Sequence, residues 1–200
     1  MNIEKLNDDR INKVMVNILL NKGFDHHWLD EFNTLSELES VLNNLVRNYK
    51  ETSEERLKVF HLIQLWGGIT GRNIYVMSNG GFSWKNIDNH YKSFVDSCLS
   101  IKGHTNADFD AAYDAMKKFN NNVKNISYSF ISKHLRFWGY KNLREWTFPP
   151  YDSVMVKEYM KKKYYRHTDI IPYWQKIYKE AADYGQTVSQ YERYLFNKFH

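Results

Sequence analysis

The sequence predicts an all-α protein, and three observations carry that prediction. Apolar residues recur at helical spacing through most of the 200 residues. Three capping-box patterns, Thr34 with Glu37, Thr52 with Glu55 and Thr187 with Gln190, each stand before such a run. All three prolines lie after residue 148, so none interrupts the helical pattern before it.

Taken in order, residues 9–22 carry Ile11, Val14, Val16, Ile18 and Leu19 and stop at Gly23. The box at Thr34 opens a helix through Leu38, Leu42, Leu45 and Val46, and the box at Thr52 opens one through Leu57, Phe60, Ile63 and Trp66. The second ends at Gly67-Gly68. Further helices are expected over 86–101, 106–119, 127–138, 152–163, 169–184 and 187–198. Gly103 and Gly185 serve as stops, and Pro172 suits the first turn of its helix. Residues 67–85 hold five of the nine glycines and read as an ordered loop with a short strand at 73–77. The loop is no P-loop, because no Gly-Lys-Ser/Thr follows its glycines.

Composition narrows the function. No apolar run approaches the ~20 residues that span a bilayer, so no membrane partner is expected. The start, Met1 to Arg10, lacks the apolar stretch of a signal peptide. Cys98 is the sole cysteine, which excludes an intrachain disulfide, a thiolate zinc site and an iron–sulfur cluster. Cys98 itself reads as a core thiol, and the expected compartment is the cytoplasm. The net charge of +5 mildly favours an anionic partner. With 15 Tyr, 12 Phe and 6 Trp, the chain has rings enough both to fill a core and to stack on unpaired bases.

Chemistry concentrates in two segments. Lys133 sits in Ser-Phe-Ile-Ser-Lys-His-Leu-Arg-Phe (129–137), and Asp152, nineteen positions on, in Phe-Pro-Pro-Tyr-Asp-Ser-Val (148–154). A lysine can attack a sugar carbon and hold it as a Schiff base, but only after losing its proton. Burial in the first turns of a helix disfavours the ammonium. Asp152 stands where a helix N-cap belongs, so backbone N–H groups would fix a carboxylate able to stabilise an oxocarbenium-like sugar. Singly, Lys133 reads as a surface lysine and Asp152 as a cap; the spacing and flanks make them a pair.

These segments resemble the helix-hairpin-helix DNA glycosylases, most closely the 8-oxoguanine branch and a compact bacterial group with that fold. The family carries a lysine early in the second hairpin helix and a Pro-x-Asp after it. Lys133, Pro150, Tyr151 and Asp152 match in type, order and spacing. The resemblance covers about residues 60–200 and implies an extra N-terminal helical segment, 1–50, packed on a glycosylase-like domain, 51–200. It departs from the family at Ser129 and Ile131, where the hairpin is otherwise glycine-rich, at Phe137, and at Val154.

The resemblance implies a DNA N-glycosylase that flips and excises a damaged or modified purine of the 8-oxoguanine type, with β-lyase strand cleavage as a further step. Lys133 and Asp152 would be catalytic. Phe137, Glu192 and Phe196 would bind the base, the last two through the match of Gln-Tyr-Glu-Arg-Tyr-Leu-Phe (190–196) to the family's closing helix. The alternative for that helix is an ordinary amphipathic one with Phe196 in the core. Ser129 and Ser132 would meet the DNA, together with the basic run Lys161, Lys162, Lys163 and Arg166, which reads equally as a solvated face. His26-His27 with Asp30 and Glu31 is only a weak metal pattern, so no metal or other cofactor is expected. The partner would be DNA and the protein a monomer, serving base-excision repair or anti-phage defence. Two other classes stay open: a module of the same fold that binds modified nucleotides or nucleic acid without catalysis, and a helical adaptor whose rings are core.

Overall fold

The computed structural model describes residues 8–76, 82–143 and 148–199, and among them the protein is helical with no strand. Its α-helices are α1 (Lys13–Leu20), α2 (Leu35–Arg47), α3 (Ser53–Trp66), α4 (Asn73–Val76), α5 (Trp84–Ser100), α6 (Asn106–Asn122), α7 (Tyr128–Leu143), α8 (Ile170–Asp183) and α9 (Val188–Phe199). No helix among the described residues is long and apolar enough to cross a membrane.

Local chemistry sets the boundaries. Thr34 Oγ1 accepts from the Glu37 N–H, and the Glu37 carboxylate accepts from the Thr34 N–H, which closes the first box. At α3 the Thr52 hydroxyl caps Glu55, but the Glu55 carboxylate reaches back to the Lys50 N–H instead of Thr52. Thr187 and Gln190 close their box in both directions. A further box opens α6, where Thr105 and Asp108 exchange the same bonds with the shorter acid. The Thr105 hydroxyl, and then the Thr105 N–H, donate to the Asp108 carboxylate and hold it below its ordinary range. After α8, Gly185 takes φ +64°, and the Gly185 and Gln186 N–H groups bond to the Ala182 and Ala181 carbonyls. This left-handed stop satisfies two helix-end carbonyls where a side chain would be strained.

Two expected elements differ. Residues 73–76 form a helical turn, not a strand, because Ile74 and Tyr75 both bury from consecutive positions. Residue 77 of the expected strand and 77–81 of the expected loop lie outside the described residues. The helix expected over 152–163 stops early. After one turn it widens into a π-helical turn at Met155–Tyr159, and Lys161 follows at φ +54°.

The chain divides into two compact units, Met1–Ser93 with Asn122–Ile126, and Phe94–Asn121 with Ser127–His200. The first buries Met15, Val16, Leu38, Leu42 and Val46 from α1 and α2. Beside them His61 lies fully buried in a ring cluster with Phe24, Tyr75 and Phe82. Arg56 is tied to Asp88 by two hydrogen bonds of 2.6 and 2.9 Å and to the Tyr49 hydroxyl at 3.0 Å. The second unit buries Phe109, Phe148 and Trp174 against one another. A Cβ on Gly139 of α7 would come within 3.2 Å of the Phe148 ring, so glycine there admits the ring that anchors the segment leading to Asp152.

Candidate functional site

Asp152 is held by a backbone pinned at three successive residues. The Trp174 indole donates to the Pro149 carbonyl at 3.0 Å, and the Tyr173 hydroxyl donates to the Pro150 carbonyl at 2.8 Å. The Tyr151 N–H donates to Ser132 Oγ at 3.0 Å. Proline lacks an N–H, so at Pro149 and Pro150 only the carbonyls need partners, and buried α8 side chains supply both. The Asp152 carboxylate then accepts from the Val154 and Met155 N–H groups, each at 3.0 Å. This cap fixes the acid at the head of the turn.

Lys133 lies in the second turn of α7, one residue after the serine that holds Tyr151. It is half-buried, and its ammonium sits 4.6 Å from the centre of the Phe130 ring. Burial pushes the amine below its ordinary value, and the Asp152 charge works against that shift. The two expected catalytic groups are thus within electrostatic reach of each other. A lysine so placed is closer to deprotonation than a surface one, and the carboxylate that opposes the shift is itself fixed.

The face of α7 that carries Lys133 also carries Arg136 and Phe137, three and four residues on. Arg136 Nε donates to Glu192 Oε1 of α9 at 2.9 Å, with side-chain exposures of 4% and 12%. Glu192 therefore stands as one half of a buried ion pair. Tyr173 is buried within electrostatic reach of both Glu192 and Asp152, and its phenol is pushed well above its ordinary value, first by burial and then by those charges. Phe137 is 0% exposed and packs under the Arg136 guanidinium at 5.0 Å, whereas Phe196 is 43% exposed. The two rings expected to flank a base thus differ sharply in access.

Ser132 does not face outward. It is fully buried, and its hydroxyl donates to the Ser129 carbonyl while accepting from Tyr151. The residue expected to touch DNA instead braces Asp152 against the lysine helix. Ser129 is half-exposed in the first turn of α7. Lys161, Lys163 and Arg166 are exposed, and Lys162 pairs with Asp169 at 2.7 Å. The π-helical turn is tied to α8 and α9 through Glu180, whose carboxylate accepts from Tyr159 and Tyr191 at 2.7 and 2.6 Å. Asp25, His26 and His27 bring possible ligand atoms within 4.8 Å of one another on an exposed turn, where Asp25 already caps the His27 N–H. Cys98 is buried and its thiol is pushed well above its ordinary value.

Sequence reading missed Trp174 and Tyr173, which hold the proline carbonyls, and Arg136, which holds Glu192. A cationic residue one helical turn after the lysine was a signal for Arg136; nothing local marked the two rings. No family model, curated protein or solved structure matches this chain.

Proposed function

We propose that the protein is a DNA N-glycosylase that excises a damaged or modified purine of the 8-oxoguanine type through Lys133. The observation that carries this reading is the convergence of a half-buried lysine, its pKa lowered by burial, with a carboxylate whose position is fixed by two backbone N–H groups. The helix-hairpin-helix resemblance at those residues supplies the substrate class. In the proposed reaction the target base is rotated out of the stack. The neutral Lys133 amine forms a bond to C1′ as the glycosidic C–N bond breaks, and the base leaves with that electron pair and takes up a proton. Asp152 stabilises the positive charge that develops on the sugar. Loss of the amine proton and opening of the sugar ring give the Schiff base, from which removal of a C2′ proton expels the 3′-phosphate. Lysine chemistry of this kind needs no metal or organic cofactor. Within this reading Glu192 and Phe196 meet the base, and the protein serves base-excision repair or defence against foreign DNA.

A second reading keeps the same fold and drops catalysis, leaving a module that binds a modified nucleotide or nucleic acid. What favours it is the burial of Phe137 and the engagement of Glu192 by Arg136, which leave less of the expected base pocket open. Borohydride reduction with oligonucleotides carrying 8-oxoguanine, other lesions and an abasic site separates the two. The first reading expects a covalent adduct that Lys133→Gln abolishes. An adduct that survives in Lys133→Gln assigns the chemistry to another amine. Absence of any wild-type adduct across the lesions leaves the binding module.

A further inference from the structure

In the second unit, three rings from three separate elements lie nearly parallel. Tyr113 comes from α6, Tyr128 from the first turn of α7, and His167 from the short turn His167–Asp169 before α8. Tyr128 and His167 stack at 4.7 Å between centroids, with their planes 15° apart. Tyr113 and His167 have planes 17° apart and are joined edge to edge by a hydrogen bond of 2.7 Å between the Tyr113 hydroxyl and His167 Nδ1. Two parallel rings bonded through their edges lie side by side, so they form one flat surface wider than either ring. Tyr128 backs that surface, and His167 is exposed.

The array continues toward the site. The Tyr165 phenol is within electrostatic reach of Tyr151, Asp152, Tyr128 and Tyr113, and its ring lies 5.0 Å from that of Tyr151. The Tyr151 hydroxyl is buried and, among the described residues, has no hydrogen-bond partner. A buried hydroxyl without a partner is uncommon and suits an acceptor brought by a ligand. The same connecting segment is basic. Residues 157–169 hold five Lys and Arg against two acids, Glu158 and Asp169. Those acids pair with Lys157 and Lys162, so the surplus positive charge falls on exposed Lys161, Lys163 and Arg166.

We propose that this surface is a landing platform for single-stranded DNA. Unpaired bases beside the one held at Lys133 stack on the Tyr113–His167 plane and on Tyr165, and their phosphates follow Lys161, Lys163 and Arg166. Stacking on rings is tolerant of sequence but needs an open base face, which a duplex hides. The proposal rests on the reading of this unit as a DNA enzyme and gives it a substrate form, DNA that is already unpaired.

The test is fluorescence anisotropy of the full chain with a labelled mixed-sequence oligonucleotide of roughly 15 nucleotides, single-stranded and as the duplex. The single strand should bind about 10-fold tighter than the duplex, and Tyr113→Ala with His167→Ala should cost about 10-fold in single-strand affinity. Tyr113→Phe, which keeps the ring, should retain most of it. Lys163→Gln with Arg166→Gln alters two exposed side chains and should flatten the salt dependence by about 0.7 per charge removed. Equal or tighter duplex binding, no binding of either form, or an unchanged salt slope in the Lys163/Arg166 variant would overturn the platform. So would wild-type affinity in a folded Tyr113/His167 variant. Lys133→Gln should keep the preference for the single strand over the duplex. Absence of borohydride trapping by the wild type, with its single-strand binding intact, counts against the lysine chemistry alone. Trapping without single-strand preference counts against the platform alone.

Discussion

Each unit of this protein buries a basic side chain among rings, and the two sites differ in what faces it. His61, in the first unit, is fully buried beside Phe24, Tyr75 and Phe82, and its Nδ1 meets the Tyr75 hydroxyl at 2.8 Å. Burial takes its pKa down to about 3, so it is neutral at any physiological pH, and the group facing its Nδ1 is a phenol. Lys133, in the second unit, is half-buried, and its lowered pKa is opposed by Asp152. A buried base alone is a packing feature. A partly accessible base with a fixed carboxylate in range can hold a proton, lose it and act on a substrate. The difference lies in access and in the opposing charge, not in the degree of perturbation, which is large at the histidine.

The largest effect that tests this contrast is chemical. Lys133→Gln should remove borohydride trapping entirely while the melting temperature changes little, whereas His61→Gln should leave trapping intact in whatever fraction stays folded and lower stability by about 1–3 kcal/mol. Trapping measured beside thermal melting separates them. Loss of trapping in folded His61→Gln would show that the first unit takes part in the chemistry.

Next come two core substitutions, one in each unit. Phe137→Ala should cost about 3–5 kcal/mol in urea unfolding, because the ring is wholly enclosed. Asp88→Asn should cost about 3 kcal/mol by leaving the buried Arg56 guanidinium without its charge partner. Burial works to raise the Asp88 carboxyl, but the bonds from Arg56 and Ser53 leave it below its ordinary value. Its folded pKa is therefore the lower one. The stability it contributes is present above the ordinary aspartate range and disappears as pH falls through the folded value. An unfolding series into acid should show a smaller loss in Asp88→Asn than in the wild type, the histidine contribution being common to both.

The sequence carried the helices well and the site only in part. Helix starts were legible because Thr34 and Thr187 make local capping bonds that a four-residue window contains. Gly185 was legible because a left-handed stop needs glycine. The box at Thr105 went unread because Asp108 stands where the pattern has Glu or Gln. The early end of the helix after Asp152 was not legible either, since the left-handed turn there is taken by Lys161 with no glycine to mark it. Ser132 shows the deeper limit. Its partner Tyr151 is nineteen positions away, and Arg136 and Glu192 are fifty-six apart. No local pattern distinguishes a serine that braces a loop from one that meets a phosphate.

A smaller effect is pH-dependent and common to both units. His61 and His134 are each held at about 3, His61 by burial and His134 by burial and the nearby Lys133. The folded values lie below that of an unfolded histidine, about 6.5, so the unfolded chain binds the protons first. Stability is complete above that value and should fall by about 1.4 kcal/mol per pH unit for each histidine as pH drops from 6.5 toward 3. Urea midpoints at pH 7 and pH 5.5 measure it. Replacing His61 by Gln should reduce the fall by about half; an undiminished fall would mean that other groups dominate the acid response.

The smallest expected change in stability is at Phe196, and it sharpens the contrast within the second unit. Phe137 and Phe196 are both rings assigned to the base by resemblance, yet one is 0% and the other 43% exposed. A ring that exposed has much less burial to lose than Phe137, so Phe196→Ala should cost only about 1 kcal/mol of unfolding stability. If the ring stacks on a flipped base, the same change should weaken binding of a lesion-bearing oligonucleotide by about 10-fold, the scale of one lost stacking contact. Urea unfolding and oligonucleotide binding, measured on one preparation, give the ratio of the two effects. A ratio that favours binding keeps Phe196 in the site. A variant that melts early and binds normally would make the ring part of the packing, and α9 would then contribute only Glu192.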